Sequence, residues 1–135
     1  MTIRLAACAC GQLSVACAGD AVRASVCHCL ECQRRTGSVF GVAARFAPAQ
    51  LTIEGRSSEY TRVADSGDKV VFRFCPVCGS TVCWTQPAFP DGIAVAVGAF
   101  ADPNFTPHPS RSIYDRSRGH PWVDLRPDGP LERRG

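Results

Sequence analysis

Nine cysteines dominate the chemistry open to this chain of 135 residues. Seven of them fall into close groups: Cys8 and Cys10, then Cys27, Cys29 and Cys32, then Cys75 and Cys78. Cysteine thiolates at such short spacings are typical zinc ligands. Their odd total, together with the lack of an evident secretion signal, argues against a disulfide scaffold. We therefore expect a reduced, cytoplasmic protein.

The last group predicts half of a closed zinc site. Cys75 and Cys78 are separated by two residues, a gap at which a tight turn directs both sulfurs to one ion. Gly79 can adopt the positive φ that such a turn often requires. A structural zinc needs four ligands, and Cys8 and Cys10, just before the first predicted strand, are the natural second pair. These four cysteines predict one structural zinc that ties the N-terminus to a central hairpin.

The middle group predicts a different kind of site. Cys27, Cys29 and Cys32 supply three thiolates, and three ligands leave a fourth position open for a substrate atom, as in catalytic zinc sites. His28 is an alternative fourth ligand, but in an extended segment it should point away from its neighbours. A thiolate-rich site favours a soft ligand such as a cellular thiol. Zinc-assisted addition of a thiol to an aldehyde, or the reverse reaction, follows as a hypothesis.

Alternating apolar residues predict a mainly β fold of small antiparallel sheets. The predicted strands cover residues 12–15, 39–46, 51–54, 59–63, 69–74, 81–85 and 93–100. The pattern predicts very little helix, with one short segment from Leu30 to Thr36 that ends at Gly37. From about residue 101 to residue 135 the chain is rich in Pro, Arg and Asp, which predicts an irregular tail packed on a single domain, 1–135.

Composition restricts the possible partners. No apolar run approaches the roughly 20 residues that span a bilayer, so we expect no membrane partner. The formal net charge is +3, and 14 of the 15 basic residues are arginines spread along the chain. Nucleic-acid binding usually needs a concentrated basic face with interleaved aromatic residues. We therefore expect no nucleic-acid partner either.

Several further residues carry weaker expectations. Cys17 and Cys83 lack metal-type spacing and are expected to be buried as small hydrophobic residues. Aromatic residues are expected to fill the core, although one of them could form a wall of a substrate cleft: Phe72, Phe74, Trp84 and Phe100. His108 and His120 are expected at the surface. His120 is the first candidate for a proton donor if the tail folds over the open site.

With these residues in view, the chain resembles the glutathione-dependent formaldehyde-activating enzyme family, also called the Gfa or centromere protein V family. The resemblance covers nearly the whole chain. It rests on residues 8–11, the block from Cys27 to Ser38, the segment from Phe74 to Ser80, the stretch from Gly98 to Pro103, and Trp122. It implies an Mss4-like fold around a zinc-ribbon-like structural zinc site.

The resemblance also implies an activity, that of a carbon–sulfur lyase. Such an enzyme reversibly forms S-(hydroxymethyl)glutathione from glutathione and formaldehyde. By the resemblance, Cys8, Cys10, Cys75 and Cys78 match the structural zinc ligands, and Cys27, Cys29 and Cys32 the catalytic ones. The implied partners are glutathione or a similar thiol and a small aldehyde. The carboxylates of glutathione need cationic partners, for which the candidates are Arg34, Arg35, Arg45, Arg62 and Arg73.

Two other functions are compatible with the same cysteines. One is a non-catalytic zinc module that binds protein or nucleic acid. The other is a redox or metal-storage protein in which Cys27, Cys29 and Cys32 form disulfides after zinc is lost.

Overall fold

The computed structural model describes residues 1–90, 92–126 and 129–135, and within these ranges the chain forms two β-sheets and one short α-helix. The strands are β1 (Ile3–Ala7), β2 (Ser14–Ala18), β3 (Arg23–Cys27), β4 (Gly41–Phe46), β5 (Leu51–Glu54), β6 (Ser58–Val63), β7 (Lys69–Phe74), β8 (Thr81–Thr85), β9 (Ile93–Ala96), β10 (Pro109–Ile113) and β11 (Glu132–Arg134). The α-helix α1 covers Leu30–Thr36, and 3-10 helices cover Pro48–Gln50 and Val97–Phe100.

In the described ranges, the two sheets differ in size. The smaller sheet has the order β1-β2-β5 and is antiparallel. The larger sheet has eight strands in the order β11-β10-β3-β4-β9-β8-β7-β6. Its strands from β3 to β6 pair in antiparallel fashion, whereas β10 runs parallel to both β3 and β11. The mainly β prediction with very little helix is confirmed.

The main hydrophobic core joins the two sheets. Val15 and Cys17 of the small sheet are fully buried together with Phe46, Val82 and Cys83 of the large sheet. A second cluster is built from Ala43, Val70, Phe72, Trp84 and Ala94. Neighbouring residues of β4 belong to different clusters, because successive side chains of a strand point to opposite faces. The large sheet therefore buries one face in the core and presents the other to a cavity.

Helix α1 begins and ends where the sequence predicts. Cys29 is its N-cap, and the Cys29 sulfur accepts a hydrogen bond from the backbone N–H of Cys32. Gly37 ends it with a φ of 69°, a left-handed conformation that costs a glycine little. The helix therefore starts inside the predicted open cysteine group, and its first turn fixes the position of Cys32 relative to Cys29.

The strands predicted from the sequence differ from those of the structure in several places. The strand predicted at 12–15 is observed as β2 at Ser14–Ala18, and neither β1 nor β3 is among the predicted strands. The predicted strand 93–100 ends at Ala96, and the 3-10 helix that follows places Phe100 against Phe46. Strand β1 was not predicted, because its buried side contributes only Ala6 to the core. The tail after residue 101 is not irregular throughout, since it contributes β10 and β11. Strand β10 buries Ser112, a polar residue that gives no apolar alternation.

Among the described residues, no helix combines the length and apolar character needed to cross a membrane.

Candidate metal centres and the adjoining cavity

Four sulfurs from distant parts of the chain meet beside the small sheet. The turn after β1 supplies Cys8 and Cys10, and the turn after β7 supplies Cys75 and Cys78. All four sulfur atoms lie within 4.8 Å of one another. The Cys8 and Cys10 sulfurs are 3.6 Å apart, and those of Cys10 and Cys75 are 3.7 Å apart. The chain thus brings together the four residues predicted for the closed site.

The spacing of these sulfurs fits zinc. With Zn–S bonds of about 2.3 Å, a regular tetrahedron has sulfur–sulfur edges of roughly 3.8 Å. The observed separations of 3.6 and 3.7 Å are close to that edge and well beyond the roughly 2.05 Å of a disulfide. All nine cysteines are free. The donor set and its geometry therefore suit a tetrahedral four-thiolate zinc centre.

Backbone N–H groups stabilise the thiolates of this four-sulfur cluster. Cys8 accepts a hydrogen bond from the N–H of Leu13 at 3.3 Å, and Cys75 accepts one from the N–H of Val77 at 3.3 Å. The Gln12 side-chain amide donates to the Cys75 sulfur at 2.9 Å. Hydrogen bonds from backbone groups lower the pKa of Cys78 to about 5. Such donors favour the deprotonated form that a metal requires.

The second group, Cys27, Cys29 and Cys32, lies where β3 passes into α1. Its three sulfurs also lie within 4.8 Å of one another. Cys29 and Cys32 are buried and Cys27 is half-buried. Hydrogen bonds from the Cys27 and Cys32 thiols hold the pKa of Cys29 far below its ordinary value. Donation to Cys29 and Cys32, together with burial, raises the pKa of Cys27. The two neighbouring thiols therefore favour the deprotonated form of Cys29.

His28 points away from the three-sulfur cluster, as the strand alternation predicts. Its Nε2 atom is 2.9 Å from the Ser112 hydroxyl, which donates to Asp115. Arg133 donates to both oxygens of that carboxylate at 3.0 Å. Burial lowers the pKa of His28, although Asp115 acts in the opposite direction. This buried network attaches the segment between Cys27 and Cys29 to the C-terminal strands.

The three-sulfur cluster opens onto a cavity of about 420 Å³, a volume in the range of small-molecule sites. Its floor follows the pairing of β3 and β4, in which Cys27 is opposite Gly41 and Ser25 is opposite Ala43. These small residues leave room for a ligand next to the sulfurs. None of the four cysteines of the other cluster lines this cavity. The two clusters thus differ in access as well as in ligand number.

The cavity walls carry a large excess of positive charge. Among the described residues, eight arginines face two acidic residues there. The arginines are Arg23, Arg34, Arg35, Arg45, Arg62, Arg111, Arg118 and Arg134, and the acids are Glu31 and Asp65. Two aromatic residues, Phe72 and Trp84, form part of the same wall. A concave, cationic and partly aromatic wall favours a small anionic ligand.

A second cavity of about 340 Å³ adjoins the first. Arg35, Arg62 and Phe72 line both cavities and so stand at their boundary. Phe74 lines the second cavity only. Arg73, a sequence candidate for carboxylate binding, lines neither cavity. Burial raises the pKa of Cys83, and the charge of Arg73 acts in the opposite direction.

The tail contributes cavity residues that the sequence did not single out. Tyr114 and Arg118 line the cavity, and the Arg118 guanidinium lies 4.4 Å from the centre of the Tyr114 ring. Tyr114 has a φ of 53°, which is rare for a residue other than glycine and is a form of strain found at functional sites. The sequence gives no indication that Tyr114 would adopt this backbone conformation. The parallel pairing of β10 with β3 places these residues at the cavity.

The other residues of interest lie away from this wall. His120 is half-buried and contacts Gln33, with 3.3 Å between its Nε2 atom and the Gln33 Oε1 atom, but it does not line the cavity. His108 is exposed and bonds to the carbonyl of Pro130. Cys17 and Cys83 are buried in the main core, as predicted.

Comparison with protein families decides the relationship that the cysteines suggested. Residues 4–117 match the family model described as glutathione-dependent formaldehyde-activating enzyme, a range that includes both cysteine clusters. The chain belongs to this family. A comparison with functionally curated proteins gave no match for this Gfa-family chain.

A solved structure supports the fold of the Gfa-family chain. The crystal structure of a Rhodobacter sphaeroides protein matches it with a TM-score of 0.55 and 20% sequence identity. The match covers 70% of this chain and 85% of that one. The two sheets, the single short α-helix of the described ranges and the cysteine clusters are consistent with the Mss4-like fold.

Proposed function

We propose that this protein is a zinc-dependent carbon–sulfur lyase of the Gfa type. In this proposal, a thiol such as glutathione adds reversibly to formaldehyde or a related small aldehyde at Cys27, Cys29 and Cys32. The four-sulfur cluster binds a second, structural zinc. Family membership supports this reaction class, since the family is described by glutathione-dependent activation of formaldehyde.

The observation that carries the proposal is the contrast between the clusters. Four sulfurs saturate a tetrahedral ion, whereas three sulfurs leave one ligand position for a substrate atom. The three-sulfur cluster is also the one that lines a cavity large enough for a small molecule. Ligand number and access thus both support a reaction at the three-sulfur cluster.

The reaction balances without a redox partner. The thiol sulfur forms a bond to the carbonyl carbon, the carbon–oxygen π electrons move to oxygen, and the thiol proton ends on the new hydroxyl. Zinc, when bound, would favour the thiolate form of the incoming thiol at neutral pH. The protein contributes a cationic wall that attracts an anionic thiol, and Phe72 and Trp84 supply apolar surface beside it.

Zinc counting after anaerobic purification tests the proposed sites. We expect two zinc ions per chain in the wild type and one in Cys29→Ser. Cys17→Ala is the matched control, because Cys17 is buried in the core and belongs to neither sulfur cluster, so its loss should leave two ions. A wild-type protein with one tight ion and no change in Cys29→Ser would contradict the three-sulfur site.

Exchange spectroscopy tests the reaction itself. NMR can follow exchange between glutathione plus formaldehyde and S-(hydroxymethyl)glutathione, with and without micromolar protein. We expect acceleration by the wild type and by Cys17→Ala, and none by Cys29→Ser. A protein that holds two zinc ions and does not accelerate exchange would refute the lyase function with glutathione. Disulfides among Cys27, Cys29 and Cys32 in such a protein after mild oxidation would favour the redox alternative.

A further inference from the structure

Two arginines at the boundary of the cavities, Arg35 and Arg62, have no acidic partner among the described residues. Arg34 pairs with Glu31 at 3.0 Å, and Arg118 pairs with Asp65. Within the described ranges, no carboxylate lies within 4.0 Å of the guanidinium of Arg35 or Arg62, and no hydrogen bond joins either guanidinium to a protein acceptor. The guanidinium N–H groups of Arg35 and Arg62 are therefore not used in hydrogen bonds to the described part of the protein.

Aromatic rings hold both guanidiniums in place. The Cζ atom of Arg35 lies 4.3 Å from the centre of the Trp84 ring and 5.6 Å from that of Phe72. The Cζ atom of Arg62 lies 5.3 Å from the centre of the same Phe72 ring. Stacking engages the flat face of a guanidinium and leaves the N–H groups at its edge free to donate. One shared ring thus positions two cations side by side.

One buried hydrogen-bond donor of Arg35 lacks an acceptor. Its Nε atom is buried and has no hydrogen-bond partner. Its Nη2 atom lies so close to Gly41 that a Cβ atom there would be 2.8 Å away, so only glycine leaves this space to the guanidinium. A buried donor without a partner is destabilising. An anionic ligand group beside the guanidinium would offset part of that penalty by accepting hydrogen bonds from its other N–H groups.

Both cations line the cavity onto which the three-sulfur cluster opens. Arg35 follows Cys32 by three residues in α1, so the two side chains lie on the same face of the helix. Arg62 lines the same cavity as the three cysteines. A ligand with its sulfur or carbonyl carbon at the cluster would therefore have an attached acidic group within reach of the two guanidiniums.

We propose that Arg35 and Arg62 form a carboxylate-binding subsite that selects anionic substrates. This inference rests on the proposed function, because it assigns the carboxylate to a molecule that reacts at the three-sulfur cluster. The carboxylate belongs either to the thiol or to the aldehyde, and the chemistry of recognition is the same in both cases. Formaldehyde alone needs no such subsite, so the subsite determines which thiol or which larger aldehyde is used.

Matched ligand pairs test this carboxylate-binding subsite on the anaerobic, zinc-loaded protein. The thiol pair is 3-mercaptopropionate and 2-mercaptoethanol, which differ by a carboxylate. The aldehyde pair is glyoxylate and glycolaldehyde. Calorimetric titration gives the preference for the anionic member, and we expect about tenfold in at least one pair, as befits charge-assisted hydrogen bonds. A preference within the thiol pair assigns the carboxylate to the thiol, and one within the aldehyde pair assigns it to the aldehyde.

Charge-removing variants identify the residues responsible. Arg35→Gln and Arg62→Gln should each reduce the preference at least threefold, and Arg62→Lys should restore part of it. Arg56→Gln is the control, because Arg56 is exposed and lines neither cavity. Zinc content and circular dichroism identify any variant that fails to fold, and Arg62, on the outermost strand of the large sheet, is the safer of the two positions.

A carboxylate without sulfur separates failure of the subsite from failure of the lyase function. Propionate should bind the wild type and compete with 3-mercaptopropionate, and Arg62→Gln should weaken its binding at least threefold. If propionate binding depends on Arg62 while neither thiol binds more tightly than propionate, the subsite stands and the thiol chemistry fails. If no anionic member is preferred, or if the preference persists in both glutamine variants, the subsite is refuted.

Discussion

Alanine at position 55 would disturb the backbone that supports the four-sulfur cluster. Gly55 has a φ of 96°, and a Cβ atom there would meet the carbonyl oxygen of Gln12, with its carbonyl carbon at 2.8 Å and Cα of Leu13 at 3.0 Å. These obstacles are backbone atoms, which cannot rotate aside as a side chain could. Gln12 and Leu13 in turn donate hydrogen bonds to the cluster sulfurs. The substitution should therefore affect both folding and zinc retention.

The magnitude follows from two costs. The left-handed conformation costs an alanine about 1–2 kcal/mol relative to glycine. The clash adds roughly 1–3 kcal/mol, the usual cost of overpacking. Gly67→Ala provides a matched control, because Gly67 has a φ of 87° but nothing within 4 Å of a Cβ atom. It should show the first cost alone, so the difference between the two variants isolates the clash.

Unfolding in urea with excess zinc measures this difference. Tryptophan fluorescence is a suitable signal, since Trp84 is buried in the folded protein. We expect Gly55→Ala to be less stable than Gly67→Ala by about 1–3 kcal/mol. We also expect it to release zinc to a chromogenic chelator faster. Equal unfolding free energies for the two variants, within experimental error, would refute the packing argument.

The remaining predictions concern the His28 network and a buried thiol. Ser112→Ala removes the hydroxyl between His28 and Asp115, so we expect thermal and urea unfolding to show a loss of about 1–3 kcal/mol. Ser110→Ala, which loses only a 3.4 Å contact to a carbonyl from an exposed position, should cost less, and an equal loss would contradict the role of the network. Burial raises the pKa of Cys17 to about 11, above its ordinary value near 9. Its contribution to stability is thus complete below pH 9 and disappears as the pH rises towards 11. Mass spectrometry should find Cys17 unmodified by iodoacetamide at pH 8 in the folded protein and modified in urea, and rapid labelling of the folded protein would contradict this.

Local pattern was sufficient for a large part of the fold. Strands β5, β7 and β8 and helix α1 begin and end at the predicted residues, because alternation and the Gly37 cap depend on neighbours in the chain. The prediction failed where burial involves small or polar residues. Ala6 in β1 and Ser112 in β10 contribute nothing to a hydrophobic pattern, yet both are fully buried.

The candidate site, like the fold, was predicted in part from the sequence. Ligand spacing together with the four-ligand requirement grouped the seven cysteines into sets of four and three, and the folded chain brings the sulfurs of each set within 4.8 Å. Orientation of His28 also followed from the sequence, since neighbours along a strand face opposite ways. The sequence did not indicate which arginines would line the cavity. Arg35 and Arg62 come from a helix and an edge strand, and both guanidiniums lie near the ring of Phe72.

The sequence by itself determined which cysteines could hold a metal ion, because coordination depends on residue type and on short spacings that a single turn can satisfy. Only the tertiary structure decided what surrounds that chemistry. The parallel pairing of β10 with β3 brings Tyr114 and Arg118 to the cavity from more than 80 residues away in the chain. The positive charge of the cavity likewise comes from arginines that are far apart in the chain. No local sequence pattern predicts that charge, because these arginines come together only when the chain has folded.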